Sequence, residues 1–219
     1  MKATTTVSTT FAATHDRHRV GLLVTLAGEA PAARPPINVA LVLDKSGSMS
    51  GEPLARAREA ALRFVSFLTA QDRLSVVAFD DEVRLLYGPG PGNAPEAERA
   101  IRMIFEGGST NLSGGWLEGH RHVSRGIVEG TNRVLLLTDG QANRGIVGAG
   151  ELKGIVQGAV EHGVSTTCIG FGPSFNEDLL KGMSEAGRGH FWYVETADQM
   201  TGAFEGEIEG LVSLAALSQ

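Results

Sequence analysis

The chain has 219 residues, of which 42% are hydrophobic and 20% charged, and its formal net charge is −6 at pH 7. That length supports one large α/β domain with an appendage and a substantial core. The negative charge argues against nonspecific nucleic-acid binding, no apolar stretch is long enough to span a bilayer, and the single Cys168 excludes an internal disulfide.

The first residues, Met-Lys-Ala-Thr-Thr-Thr, lack the apolar core of a secretory signal. With the lone cysteine, this places the expected compartment in the cytoplasm. Residues 4–12 and 19–26 are rich in Thr, Val and Leu, and polar residues 14–18 separate them. This predicts a β-hairpin. Residues 30–36, Ala-Pro-Ala-Ala-Arg-Pro-Pro, form a linker that does not easily continue a strand ladder. The expected division is therefore 1–35 hairpin and linker, 36–213 main domain, and 214–219 tail.

An apolar run over 38–43 predicts a buried strand. It leads into Asp44-Lys45-Ser46-Gly47-Ser48-Met49-Ser50-Gly51. A helix follows over 52–70, with Leu54, Ala57, Ala61, Phe64, Val65 and Leu68 at three-to-four spacing and Pro53 in the first turn. Residues 74–79 predict a second buried strand, Asp80-Asp81 a turn, and 83–87 a short return strand. Residues 88–93, Gly-Pro-Gly-Pro-Gly-Asn, read as a loop. A helix over 94–105 would turn Ile101, Ile104 and Phe105 inward. The Gly107-Gly108 turn then opens a helix over 112–129. Residues 132–137 predict a central strand that ends at Asp139, and 140–149 a polar, glycine-rich loop. Helices over 151–162, 176–186 and 197–211 alternate with strands over 164–170 and 190–194.

Strands alternating with helices, and strands apolar at consecutive positions, mean a mostly parallel sheet covered on both faces. Right-handed crossovers make it a doubly wound α/β fold. In such sheets ligands bind at the carboxyl ends of the strands. Asp44, Ser46 and Ser48 alternate along a loop at such an end, so three oxygen-bearing side chains could face one spot. Oxygen ligands at short spacing suit a hard divalent cation, magnesium before zinc. Two later segments fit the same place: Gly107-Gly108-Ser109-Thr110-Asn111, a hydroxyl-bearing turn, and Val134-Leu135-Leu136-Leu137-Thr138-Asp139-Gly140, a strand ending in a carboxylate.

On these three segments the chain resembles a von Willebrand factor type A domain, from about Pro36 to Val212. The resemblance implies that Asp44, Ser46, Ser48, Thr110 and Asp139 form a metal-ion-dependent adhesion site holding Mg2+, with Mn2+ or Ca2+ as substitutes. It further implies a Rossmann-like strand order with an antiparallel edge strand over 83–87, and a bacterial type similar to inter-alpha-trypsin inhibitor heavy chain proteins. Some members of that type flank the domain with β-structure contributed from both ends, so the hairpin's partners would lie outside this chain. The function it implies is protein binding without catalysis. A partner's Glu or Asp would complete the cation, and the last helix would be the element that moves on binding.

Other readings stand beside this one. Ser and Asp after a strand also cap helices. The cation could merely stabilise the loops of a scaffold. Asp44 could instead be the nucleophile of a magnesium-dependent phosphotransfer enzyme. No G-x-x-x-x-G-K-[ST] motif occurs. His120 and His122, two apart on a helix, face different ways and are expected to be exposed. No set of histidines suits zinc. Trp116 soon after Thr110, and Arg144 in the 140–149 loop, are the expected partner contacts beside the metal face.

Overall fold

The computed structural model describes residues 2–7, 22–27, 34–139, 143–173 and 175–217. Strands β1 (Lys2–Val7) and β2 (Leu22–Ala27) pair antiparallel, with Lys2 opposite Ala27 and Val7 opposite Leu22. The polar turn expected between them lies outside the described residues.

The main domain starts at β3 (Ile37–Asp44), buried at each of its positions. Then come α1 (Glu52–Ser66), β4 (Arg73–Phe79), β5 (Val83–Pro91), α2 (Pro95–Arg102) and α3 (Leu112–Ser124). They are followed by β6 (Thr131–Thr138), α4 (Ala149–Glu161), β7 (Ser165–Phe171), α5 (Glu177–Ala186), β8 (Arg188–Val194) and α6 (Met200–Leu217). The sheet order is β5-β4-β3-β6-β7-β8, parallel except for the β4–β5 pair. Helices α1, α2 and α6 pack on one face, and α3, α4 and α5 on the other. The doubly wound, mostly parallel sheet with an antiparallel edge strand is as the pattern of elements dictated.

The chain leaves β3 toward β4 on one side and later returns to β6 on the other. That reversal opens a crevice at the carboxyl ends of β3 and β6, where this architecture places ligands.

Four local expectations are corrected. Strand β5 runs on through Gly88-Pro89-Gly90-Pro91, with Gly90 opposite Leu74 and Pro91 opposite Arg73. Proline is tolerated there because β5 is an edge strand. Gly88 adopts φ +89°, and a Cβ on it would lie 2.2 Å from the Leu74 carbonyl oxygen, so close approach to β4 demands glycine. Helix α2 stops at Arg102, which takes Phe105 out of the helical phase and leaves it 59% exposed. Helix α3 stops at Ser124. Asn132 then accepts the Val128 N–H, which organises the turn into β6. Finally, His122 is buried and shares a hydrogen bond with Glu118.

At the sheet end opposite the crevice, two buried charge pairs fasten the chain. Asp72 takes both ends of the Arg34 guanidinium and accepts from the Ile37 and Thr69 amides and the Thr69 hydroxyl. Glu207, reaching in from α6, pairs with Arg133 and accepts from Thr167 Oγ1 and Trp192 Nε1.

Candidate metal centre

Asp44 is the last residue of β3, and Asp139 directly follows β6. Parallel pairing with Leu43 opposite Leu137 brings both carboxylates to the same sheet end. The loop after Asp44 tightens into a 3-10 turn over Gly47–Met49, whose Met49 is buried beneath it. This turn aims Ser46 and Ser48 into the crevice. Asp44 Oδ1 accepts the Ser46 amide at 2.8 Å, and the Ser46 and Ser48 hydroxyls lie 3.2 Å apart. Ser48 Oγ donates to Asp139 Oδ1 at 2.8 Å, and Thr138 Oγ1 donates to Asp44 Oδ2 at 2.5 Å. Four of the five expected residues thus form one continuous hydrogen-bonded chain.

The fifth, Thr110, is buried and comes from the glycine-rich turn. That turn is stitched to the Asp44 loop by backbone bonds: Gly47 N–H to the Gly108 carbonyl at 2.9 Å, and Gly107 N–H to the Lys45 carbonyl at 2.7 Å. The Thr110 amide also donates to Asn143 Oδ1 at 3.1 Å, which ties in the loop after β6. Three separated segments therefore meet at one place. Gly107 must be glycine because a Cβ there would lie 1.7 Å from Asp80 Oδ2.

Among the described residues four carboxylates are buried: Asp44, Asp72, Asp80 and Glu207. Asp72 pairs with Arg34, Asp80 with Lys45 and Glu207 with Arg133. In each of these three, burial pushes the carboxyl up, but the cation and hydrogen bonds more than offset it, so the pKa falls below its ordinary value. Asp44 alone has no cation. Burial raises its carboxyl to about 6, against the hydrogen bonds from Ser46 and Thr138, and the nearby Asp139 adds to the rise. Burial also raises Asp139. Lys45, the adjacent basic residue in sequence, points its charge to Asp80 instead.

The linked carboxylates and hydroxyls of Asp44, Ser46, Ser48 and Asp139, with Thr110 on the adjoining turn, would fit a cation, and no described Lys or Arg compensates them. Among the described residues no three His, Cys, Asp or Glu side chains gather as a metal group. The centre is hydroxyl-rich, which favours a hard ion that keeps some of its water.

The two expected partner contacts part ways. Arg144 is exposed in the loop tied to Thr110 through Asn143. Trp116 is fully buried, with Nε1 donating to Thr166 Oγ1 at 3.1 Å and its ring stacked on His120. A side chain without exposed surface touches no partner, so Trp116 is a core residue. The motif reading passed over Thr138 as an orienting donor to Asp44, although a threonine ending the apolar run 134–137 was its visible signal. It also passed over Asn143 and the Lys45–Asp80 pair. The last has no local signal, because its partners lie 35 positions apart.

Fold and centre together define a class: a doubly wound α/β domain with an oxygen-lined crevice at its switch point. The chain belongs to the von Willebrand factor type A domain family, whose match covers residues 38–206. It is 31% identical over 172 residues to the uncharacterized protein sll0103 of Synechocystis, covering 78% of this chain and 40% of that one. It is 31% identical over 159 residues to human inter-alpha-trypsin inhibitor heavy chain H3, covering 68% of this chain and 18% of that one. This chain thus spans less than half the length of either relative. A von Willebrand factor type A structure from Catenulispora acidiphila superposes with a TM-score of 0.69 at 19% identity, over 93% of this chain and 44% of that one. Proximal thread matrix protein 1 from the mussel byssus, in a structure with a zinc-occupied MIDAS motif, superposes with a TM-score of 0.64 at 22% identity, over 84% and 46%.

Proposed function

We propose that this domain binds protein partners through a divalent cation held by Asp44, Ser46, Ser48, Thr110 and Asp139. The observation that carries this reading is Asp44, the one buried carboxylate among the described residues without a cationic partner. Among the described residues, each other such group is neutralised.

When bound, the cation supplies positive charge toward an incoming carboxylate. The chain's own residues do the rest. Ser46, Ser48 and Thr110 contribute neutral oxygens, which leave that charge incompletely cancelled. Thr138 and the Ser46 amide hold Asp44 in one orientation. The backbone bonds from Gly47 and Gly107 fix the spacing of the loops. A partner Asp or Glu then has a reason to complete the site, and Arg144 a place from which to attract it. Magnesium is the proposed ion, with manganese or calcium as substitutes. The mussel structure's zinc indicates that a related fold accepts a softer ion, but the all-oxygen donors here favour harder ones. Binding rather than phosphotransfer is supported by the charge around Asp44: Lys45, the basic residue next to it, is paired with Asp80 and is not left to neutralise a transferring phosphate.

The test is calorimetric titration of the chain with magnesium and manganese, paired with thermal unfolding. Saturation near one hundred times Kd should stabilise the wild type by about 2.7 kcal/mol. Asp44→Asn should fold without added ion yet lose both the binding heat and the metal-dependent stabilisation. A wild-type chain with neither response to either ion would overturn the proposal. Partner binding that persists in chelator would reduce the cation to a scaffold role.

A further inference from the structure

We infer that the partner segment carries, beside its metal-completing carboxylate, an apolar side chain that seats in the cleft between Phe105 and β5. This inference rests on the metal-dependent reading above and names the partner's chemistry more closely.

The cleft has a volume of about 300 Å³ and adjoins the centre through Lys45 and Gly107, whose backbones are bonded to each other at 2.7 Å. One wall is Glu82 and the start of β5, where Arg84 and Leu86 lie two apart on a single face. The other wall is the segment after α2, where Met103 is 67% exposed, Ile104 is buried and Phe105 is 59% exposed. This segment is anchored. Ile104 belongs to the core, Arg58 Nη1 donates to its carbonyl at 3.1 Å, and Gly107 is tied to Lys45. Two large apolar side chains are thus held out to solvent on a fixed backbone, beside the crevice. Side by side on the rim of a cleft, they offer a partner an apolar surface. Methionine and an aromatic ring also suit an adaptable apolar contact.

Charge selects what enters. Lys45 is paired with the buried Asp80, and the exposed Arg84 stands beside Glu82, so each cation of the lining is matched by an acid. The remaining lining charge is Glu106, which repels a carboxylate. A partner's acid is therefore directed to the cation, and the cleft accepts its apolar neighbour.

The experiment is selection of a random-peptide phage library on the immobilised chain in magnesium, with chelator elution. The inference expects enriched peptides with an Asp or Glu and a large apolar residue at fixed spacing. Against synthetic versions of those peptides, Met103→Ser/Phe105→Ser should bind about tenfold more weakly, as loss of one buried apolar side chain requires. Its magnesium titration and unfolding midpoint should match wild type, and Phe105→Leu should restore binding. Chelator-sensitive peptides with an acid but no apolar preference, or with affinity unchanged in the double variant, would overturn this inference and leave the metal reading intact. Peptides indifferent to chelator, or no enrichment at all, would overturn both.

Discussion

Replacing Glu207 with alanine should be among the most damaging changes in this domain, although it lies at the sheet end away from the candidate centre. Its carboxylate is 0% exposed, and it is paired with Arg133, whose side chain is only 5% exposed. Thr167, His190 and Trp192 also bond to it, at 2.8, 2.9 and 3.2 Å. Glu207→Ala leaves the Arg133 charge buried with Ser165 Oγ as its hydrogen-bonding neighbour at 2.8 Å. Removing one partner of a buried pair costs about 3–5 kcal/mol. At roughly 2–4 °C per kcal/mol for a domain of this size, the unfolding midpoint should fall by about 6–20 °C. Burial pushes the Glu207 carboxyl up, but Arg133 and the hydrogen bonds outweigh that and hold it below its ordinary value. A depressed folded pKa means the stabilisation is present above the unfolded value of about 4.5 and is lost as pH falls through the folded one. Urea unfolding of wild type and Glu207→Gln from pH 7 to 3 should therefore show the wild type losing more stability below about pH 4.5. Arg133→Met should restore part of the loss in Glu207→Ala. A loss below about 1 kcal/mol in Glu207→Ala, or strict additivity in the double variant, would refute this reasoning.

The same logic extends to other positions. Asp72→Ala should cost about 2–4 kcal/mol, since it strips five hydrogen bonds from one buried carboxylate. Hydrogen exchange at the Ile37 and Thr69 amides, which donate to that carboxylate, should accelerate in the variant. Gly107→Ala drives a methyl into Asp80, which Lys45 and the Glu82 and Gly108 amides hold in place. Magnesium affinity by calorimetry should fall about ten- to a hundredfold, as for other changes behind a metal's ligands. Trp116→Phe removes the donor to buried Thr166, so chemical denaturation should report a loss of about 1–3 kcal/mol with magnesium affinity unchanged.

What could be read from residues alone follows from the range of the interactions involved. The runs 38–43 and 134–137 declare strands buried on both faces because burial there is continuous, and Asp44 and Asp139 gain meaning by terminating them. The spacing in α1 declares a helix because its apolar positions share one face. Misreadings arise where tertiary context overrides local pattern. The prolines of 89–91 resemble a loop until an edge position makes them tolerable in β5. Phe105 looks inward-facing only while α2 is imagined to continue. Trp116 and His122 resemble surface groups until Thr166 and Glu118 supply their partners. The Arg133–Glu207 pair, 74 positions apart, leaves no trace in either residue's neighbourhood.

The buried carboxylates are treated in two ways, with Asp80 paired to Lys45 even at the carboxyl ends of the strands, and this contrast bears most directly on function. At the amino ends of the strands, Arg34 with Asp72 and Arg133 with Glu207 enclose each buried charge with its counter-charge. At the carboxyl ends, Asp44 is equally buried and Asp139 lies beside it, yet no described cation reaches them. Gly140, Gln141 and Ala142, which follow Asp139 in the sequence, carry no charge to offer. Stability alone would favour replacing such a carboxylate or giving it an arginine, because an unpaired buried charge is costly. Keeping Asp44 unpaired, in a rigid frame of hydroxyls and backbone bonds, is economical for a group whose counter-charge arrives from solution.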